Sequence, residues 1–323
     1  MKILVTDPLS REGIEKLKGE DGFEVRKMIR LDEGELSKLI PEYDALIIRS
    51  GTRVTPKVID AAVNLKVIGR AGTGLDNVDI EAATKKGIIV MNTPEGNTVS
   101  AAEHTISMML ALSRNIPQAN ASIKKGEWNR GKFMGSEVYG KTLGIIGLGR
   151  IGREVATRAQ GLKMKVIAYD PFISRERAEE LGITLLELDQ LLPRVDYLTL
   201  HVPFTSQTKN LIGEKEISLM KKGARIINCA RGGIINEDAL YQALKEGRLK
   251  GAALDVFEKG KPFDSPLLEL DSVILTPHLG ASTDEAQKRV AVDIALQFID
   301  ALKDEKVKNA VNLPFISPQV EKK

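Results

Sequence analysis

Short runs of apolar, β-branched residues alternate with amphipathic stretches along the first ninety residues. The runs that we predict as β-strands read KILVT, FEVRKM, DALIIRS, LKVIG and IIVMN, and stretches such as SREGIEKLKG and DIEAATKKG lie between them. Apolar runs separated by helices are typical of parallel strands that are covered on both faces. The pattern predicts an α/β fold with doubly wound parallel sheets.

A longer helix is predicted over residues 98–114, and the alternation then restarts. The later strands read TLGIIG, KVIAYD, ITLL, DYLTLHV, ARIINCA, GAALDVF and SVILTP, and a last long helix is predicted at about 282–304. Ser100 with Glu103, and the STDE stretch, are interpreted as capping boxes at the two helix starts. The two blocks predict a discontinuous first domain, residues 1–98 and 287–323, around a second domain of residues 99–286.

Length and charge narrow the class of protein. At 323 residues the chain is longer than one hydrophobic core usually supports, which predicts two domains. The net charge of +3 comes from 47 basic and 44 acidic residues that are interleaved along the chain. The sequence contains no block of basic residues of the kind that binds nucleic acid or an anionic membrane. Cys229 is the single cysteine, the N-terminus resembles a first strand rather than a signal peptide, and no apolar run reaches the roughly 18 residues of a membrane span. We expect a cytoplasmic protein without a metal site.

The stretch GIIGLGRIG places Gly147, Gly149 and Gly152 between a predicted strand and a predicted helix. Glycines at this spacing let the backbone approach a pyrophosphate at the helix N-terminus. The next strand ends at Asp170, close to the offset at which an acid holds the ribose hydroxyls. This order predicts NAD as the cofactor, because an acid there repels the 2′-phosphate of NADP. Arg150 is placed either to contact the pyrophosphate or to face solvent.

Three histidines are candidates for proton transfer. His104 lies in a predicted helix, where a packed or interface role is the better interpretation. His201 ends a strand just before Pro203, and either lines the cofactor site or is structural. His278 ends another strand between Pro277 and Gly280, an arrangement that presents a side chain in a cleft.

Two more strand ends complete the candidate site. Arg231 follows the strand ARIINCA and precedes two glycines, so its guanidinium could hold a carboxylate through two parallel hydrogen bonds. Asp255 lies near the end of GAALDVF. An arginine that holds a carboxylate and a histidine that accepts the proton of an alcohol suit hydride transfer to a nicotinamide.

With these residues assembled, the chain resembles the D-isomer-specific 2-hydroxyacid dehydrogenases. The stretches that carry the resemblance are RAGTGLDNVD (70–79), MNTPEGNTVSAAEHT (91–105), KFMGSEVYGKTLGIIGLGRIG (132–152), NCARGGIINEDAL (228–240), GAALDVF (251–257) and TPHLGAST (276–283). The resemblance implies a NAD-binding Rossmann domain inserted in a discontinuous, flavodoxin-like substrate domain.

The resemblance also implies roles for single residues. Arg231 matches the substrate-orienting arginine and His278 the acid/base. Cofactor-contacting positions are matched by Thr73, Arg150, Ile151, Asp170, Cys229, Ala230 and Asp255, and substrate-carboxylate loops by Ser50, Gly51 and Asn97. Arg49, Arg70 and Arg130 stand where phosphoglycerate-type members carry anion-holding arginines; the alternative is that each is a solvated surface arginine.

One position departs from the family pattern. The family carries a catalytic glutamate five residues after the aspartate of ALDVF, and this chain has Gly260 there. Either Glu258 reaches His278 in its place or the acid is absent. The alternative for Glu258 is an exposed glutamate paired with Lys259 or Lys261.

The implied activity is NAD-dependent oxidation of 3-phospho-D-glycerate, the first step of serine biosynthesis, in a homodimer or possibly a tetramer. A glyoxylate or hydroxypyruvate reductase is the nearest alternative, and a NAD-sensing binding protein is an alternative of another class. Because the chain stops soon after its final predicted helix, we expect no serine-binding regulatory domain. The helix 98–114 is the expected dimer contact.

Overall fold

A computed structural model describes residues 1–304 and 306–313, so the last ten residues, PFISPQVEKK, lie outside the described residues. The chain divides into two compact units. Unit one comprises residues 1–97 and the described residues from 281 onward, and unit two comprises residues 98–280. Each unit contains one parallel sheet flanked by helices, so the predicted fold class is confirmed.

Unit one has a five-stranded sheet in the order β2-β1-β3-β4-β5, which is the flavodoxin-like order. Its strands are β1 (Lys2–Val5), β2 (Glu24–Lys27), β3 (Ala45–Ile48), β4 (Val67–Arg70) and β5 (Ile89–Asn92). Its helices are α1 (Arg11–Lys18), α2 (Glu33–Leu39), α3 (Pro56–Ala61), α4 (Ile80–Lys85) and α12 (Asp284–Lys303), with a 3-10 turn at Ile40–Glu42.

The long helix α12 packs on the unit-one sheet. Phe298 is fully buried against Gly69 of β4, where a Cβ would overlap the phenyl ring. The helix begins one residue later than a capping box at STDE requires: Thr283 is the N-cap and accepts a hydrogen bond from the amide of Ala286. The predicted capping box at this helix is therefore wrong, although the helix itself is present.

Unit two has a seven-stranded sheet in the order β12-β11-β10-β9-β6-β7-β8. Its strands are β6 (Thr142–Ile146), β7 (Lys165–Tyr169), β8 (Thr184–Leu185), β9 (Tyr197–Leu200), β10 (Ala224–Asn228), β11 (Leu249–Leu254) and β12 (Val273–Leu275). Its helices are α5 (Thr98–Arg114), α6 (Ile116–Lys124), α7 (Arg150–Gly161), α8 (Arg175–Glu180), α9 (Leu188–Leu191), α10 (Glu214–Leu219) and α11 (Glu237–Lys245). Three 3-10 turns lie at Gly131–Phe133, Leu192–Arg194 and Pro266–Glu269.

Helix α5 belongs to the core of unit two. Met108, Met109 and Leu112 are buried with apolar residues of the sheet and of α7. Ser100 is buried inside this helix rather than capping it, and its hydroxyl donates a hydrogen bond to the carbonyl of Gly280. The predicted capping box at Ser100 is wrong, because the helix already begins at Thr98. Among the described residues, no helix is long and apolar enough to cross a bilayer.

Candidate functional site

Six strands of unit two end in register along one edge of the sheet, which we call the carboxyl edge. The pairs are Tyr169 with Ile146, Ile146 with Leu200, Leu200 with Asn228, Asn228 with Leu254, and Leu254 with Leu275. Six predicted site residues follow these strands within three positions: Asp170, Gly147, His201, Arg231, Asp255 and His278. The structure brings them together at the edge where doubly wound sheets bind ligands.

The glycine motif lies at the switch point between β6 and β9. Gly147 has φ +91°, and a Cβ there would lie 2.6 Å from the carbonyl oxygen of His201. A Cβ on Gly152 would overlap the carbonyl oxygen of Gly147, whereas Gly149 faces open space before α7 begins at Arg150. This backbone leaves room for a pyrophosphate at the helix N-terminus and fits a dinucleotide.

Asp170 holds the glycine loop against the end of β7. Its carboxylate accepts hydrogen bonds from the amides of Leu148 at 2.7 Å and Phe172 at 2.8 Å. An ionised carboxylate has about four acceptor positions, so two remain for ribose hydroxyls. The fixed negative charge disfavours a 2′-phosphate at this place.

Arg231 is held by Asn228, which ends β10. The buried side chain of Asn228 donates to the carbonyl of Arg231 at 2.8 Å and accepts from the amide of Ala230 at 3.0 Å. The Arg231 guanidinium is half-buried and donates to the carbonyl of Ala230 at 2.7 Å. Sequence analysis missed Asn228, although an asparagine at a strand end is a common turn residue.

Two neighbours of Arg231 are fixed by packing. Burial and the charge of Asp255 raise the pKa of the Cys229 thiol to about 12, so this side chain stays uncharged. A Cβ on Gly232 would lie 2.7 Å from the amide nitrogen of Glu258 and closer still to the carbonyl of Phe257. The Arg231 segment and the loop after β11 therefore touch through their backbones.

His278 lies in a tight turn whose backbone is bound by Asp255. The carboxylate of Asp255 is fully buried and accepts from the Thr276 hydroxyl at 2.6 Å and the amides of Leu279 at 2.7 Å and Gly280 at 2.8 Å. His278 adopts φ +59°, a left-handed conformation that is uncommon outside glycine. The turn places His278 at the carboxyl edge.

The charge of Asp255 is stabilised in place. Burial raises the pKa of this carboxyl, but hydrogen bonds from His104, Thr276 and the two turn amides outweigh burial and leave the pKa below its ordinary value. His104 contributes from α5, with Nε2 at 3.3 Å from the Asp255 carboxylate. Asp255 is therefore ionised at neutral pH.

Glu258 is exposed on the loop after β11, and its amide donates to the carboxylate of Glu237 at 2.6 Å. Burial, and then the charge of Glu258, raise the pKa of Glu237. Gly260 adopts φ +79°, so the position of the family glutamate lies in a left-handed turn. Glu237 is a second carboxylate at this loop that sequence analysis missed; the role of Glu258 stays a prediction.

His201 ends β9 behind the glycine loop. Its ring lies 3.1 Å from the Thr199 hydroxyl, and burial lowers the pKa of the imidazole to about 4. His201 is therefore neutral at pH 7 and suits a structural or cofactor-lining role. Pro203, two residues on, is exposed, and its carbonyl accepts from the Thr208 hydroxyl at 2.6 Å.

Unit one carries its own cluster at the carboxyl ends of β1, β3 and β4. The buried carboxylate of Asp7 accepts from the amides of Arg49 at 2.6 Å and Thr52 at 3.1 Å, and it packs against Gly51. Burial lowers the pKa of the Arg49 guanidinium, while the charge of Asp7 opposes this shift. Asp7 thus fixes the loop that contains the predicted substrate residues Ser50 and Gly51.

Arg70 ends β4, beside the strand that precedes Arg49. Gly72 makes room for it, since a Cβ there would lie 2.8 Å from the Arg70 Nη1. Further along, the Thr73 hydroxyl donates to the Asn97 side chain at 2.5 Å. Four more predicted residues therefore share this region of unit one with Ser50 and Gly51: Arg49, Arg70, Thr73 and Asn97.

Arg130 lies elsewhere. It is exposed between α6 and the 3-10 turn, and the following segment packs on Ser113 at the end of α5. That end of α5 is beside Tyr197, the first residue of β9, so the segment after Arg130 reaches the amino end of this strand. Its predicted anion-holding role is untested within one copy of the chain.

Comparisons with known proteins agree with this arrangement. A family model described as "D-isomer specific 2-hydroxyacid dehydrogenase, NAD binding domain" matches residues 106–280. The D-3-phosphoglycerate dehydrogenase of Methanocaldococcus jannaschii is 54% identical over 317 residues, which are 98% of this chain and 60% of that protein. The chain spans about 60% of the length of the curated relatives that it matches.

Two solved structures are similar over almost their whole length. D-lactate dehydrogenase from Aquifex aeolicus complexed with NAD and lactic acid is 30% identical, with a TM-score of 0.84 over 97% of this chain and 99% of that chain. A glyoxylate reductase from Paecilomyes thermophila is 30% identical, with a TM-score of 0.88 over 96% and 98%. The cofactor is NAD, as the glycine motif and Asp170 predict. The chain belongs to the D-isomer specific 2-hydroxyacid dehydrogenase family.

Proposed function

We propose that this chain oxidises 3-phospho-D-glycerate to 3-phosphohydroxypyruvate with NAD, the first step of serine biosynthesis. The observation that carries the proposal is the pair of arginines, Arg49 and Arg70, at the carboxyl ends of the adjacent strands β3 and β4. The Arg49 Nε is buried and has no hydrogen-bond partner in the described part of the chain. A guanidinium that has lost hydrogen bonds to water suits a phosphate, because charge-assisted, bidentate hydrogen bonds to the phosphate oxygens replace them.

In the reaction, Arg231 holds the substrate carboxylate and so orients the carbon that carries the hydroxyl. His278 accepts the hydroxyl proton as the C–H bond breaks, and becomes an imidazolium. NAD, when bound, supplies the acceptor for the hydride. The products are the 2-keto acid, the reduced cofactor and one proton on His278, so atoms and charge balance. Glu258 is the proposed carboxylate that favours the charged imidazolium.

The alternative is a reductase of glyoxylate or hydroxypyruvate. It is favoured by similarity to the glyoxylate reductase above. The two half-buried arginines, Arg49 and Arg70, are not needed for a substrate that has one carboxylate, so we rank this second. A NAD-sensing protein would bind NADH without turning over any of these substrates.

The experiment compares NADH formation from 3-phosphoglycerate and D-glycerate, and NADH oxidation with glyoxylate and hydroxypyruvate. A kcat/KM for 3-phosphoglycerate well above that for D-glycerate supports the proposal. Equal use of both, or a preference for glyoxylate, moves the function to the reductase. NADH binding with no turnover moves it to the sensor.

We also propose that the chain forms a homodimer, which could pair further into a tetramer. The proposed contact is the segment after α5, because the apolar residues of α5 itself are largely buried. Large apolar side chains are exposed on that segment: Ile116, Ile123, Trp128, Met134 and Tyr139. Trp128 is 78% and Met134 is 81% exposed. Large apolar side chains exposed in this number favour an association surface on this segment. Light scattering of an Ile123→Asp, Trp128→Ser variant tests it: a monomer supports the proposal, and an unchanged dimer contradicts it.

We also propose a cytoplasmic location, because a single cysteine cannot form a disulfide within the chain.

A further inference from the structure

The turn that carries His278 is bound from two directions within unit two. From β11, Asp255 accepts from the amides of Leu279 and Gly280 and from the Thr276 hydroxyl. From α5, the Ser100 hydroxyl donates to the Gly280 carbonyl at 2.8 Å. Hydrogen bonds therefore hold the residues on both sides of His278, which itself lies in the left-handed region.

His104, one helical turn after Ser100, approaches the same network. Its Nε2 lies 3.2 Å from the Thr276 hydroxyl oxygen and 3.3 Å from the Asp255 carboxylate. The ring is only 18% exposed, so it is a packed residue rather than a group open to a ligand. We propose that His104 is a positioning residue, which fixes Thr276 and Asp255 and thereby the turn that aims His278 at the substrate. The proposal rests on the proposed function, because His278 is the proton acceptor there.

The direction of the hydrogen bonds follows from the donors available. The single hydroxyl proton of Thr276 is directed to Asp255 at 2.6 Å, a much shorter contact than the one to Met108 sulfur at 3.9 Å. The Thr276 oxygen is then an acceptor toward His104, and ionised Asp255 is an acceptor only. Nε2 of His104 must therefore carry a proton and donate. A side chain without a donor at this place leaves a buried carboxylate with one hydrogen bond fewer.

A purely structural role for His104 makes a different prediction. If the ring only fills space in the core, an apolar side chain of similar size replaces it and leaves the turn unchanged. If Nε2–H positions the turn, only a side chain with a donor at that place restores function. Glutamine supplies an amide donor at the required distance from the backbone, and leucine supplies similar bulk without one.

The test uses His104→Leu, His104→Gln and the control Glu103→Gln, which changes an exposed residue of the same helix. We expect His104→Leu to lower kcat for 3-phosphoglycerate about 10-fold or more, since small misplacements of a catalytic group carry costs of this size. The KM and the NADH dissociation constant from fluorescence should stay within about twofold. His104→Gln should recover most of kcat, and Glu103→Gln should match the wild type.

A second readout needs no turnover. Amide hydrogen exchange at Leu279 and Gly280 should be faster in His104→Leu than in the wild type and should return toward it in His104→Gln. Unchanged exchange in His104→Leu overturns the inference, even if the wild type is active. Equal losses of kcat and melting temperature in both variants also overturn it in favour of packing. An inactive wild type with the expected exchange pattern contradicts the proposed function and leaves the positioning inference supported.

Discussion

Replacing Gly232 with alanine should separate the Arg231 segment from the loop after β11. The new Cβ would lie 2.7 Å from the amide of Glu258 and overlap the Phe257 carbonyl, whereas real Cβ atoms do not come within 3.0 Å of such atoms. Restoring both contacts requires a shift of about 1 Å in closely packed backbone. Gly232 has no positive φ, so the effect comes from this contact alone.

A displacement of about 1 Å in a substrate-orienting group costs about 100-fold, which is about 2.7 kcal/mol of transition-state stabilisation. Overpacking should cost about 1–3 kcal/mol of unfolding free energy and lower Tm by about 2–10 °C. We expect kcat/KM for 3-phosphoglycerate to fall by about 100-fold, while NADH binding on the separate glycine loop changes little.

The assay measures kcat/KM from NADH absorbance, with Tm and NADH affinity determined on the same preparations. Gly161→Ala is the matched control, because its Cβ would meet open space and its φ is ordinary. This control should keep both kcat/KM and Tm. A Gly232→Ala enzyme within about threefold of the wild type would refute the reasoning that this backbone contact sets the position of Arg231.

Three further predictions concern single side chains. Asp170→Ala should raise the KM for NAD about 10-fold or more, because hydrogen bonds to a charged acceptor are lost. It should also raise the ratio of kcat/KM for NADP to that for NAD, and an unchanged ratio would show that Asp170 does not determine which cofactor is used. Cys229 should resist iodoacetamide at about pH 8 in the folded protein and react after unfolding, because the thiolate is the nucleophile and the pKa of the thiol is raised to about 12; rapid native labelling would contradict the raised pKa. The pKa of His201 is lowered to about 4 in the folded protein. When pH falls below the ordinary pKa of histidine, about 6.5, the unfolded chain binds a proton at this residue that the folded chain does not, so the unfolding free energy falls as pH falls. His201→Gln should lose less unfolding free energy in urea between about pH 7 and pH 5 than the wild type, and an equal loss would show that His201 is not the group responsible.

Strand ends were the part of the site that the sequence could predict. Gly147, Asp170, Arg231 and His278 each follow an apolar run, and parallel strands place such residues on one edge whatever the details of packing. The helix over residues 98–114 was also predictable, because its apolar spacing is long and regular.

Contacts between distant segments were not predictable. Asn228, Asp7 and Glu237 act through hydrogen bonds to backbone amides or carbonyls, and those partners depend on how loops approach each other. His104 was interpreted as a packed residue, and the contact with Asp255 across 151 positions of sequence becomes visible only in the fold. The failed capping boxes have a local reason: Ser100 and Ser282 fit the motif, but the helices begin at other residues.

Under the proposed function, unit one recognises the substrate phosphate through Arg49. The most direct measurement is kcat/KM for 3-phosphoglycerate and for D-glycerate in the wild type, Arg49→Met and the exposed control Arg26→Met. Loss of a charge-assisted hydrogen bond is worth about 1.5–3 kcal/mol, so Arg49→Met should lower kcat/KM about 10- to 150-fold for 3-phosphoglycerate. The same variant should leave D-glycerate unchanged, and Arg26→Met should leave both substrates unchanged. An equal fall in kcat/KM for both substrates in Arg49→Met, or no fall for either, would contradict phosphate recognition by Arg49.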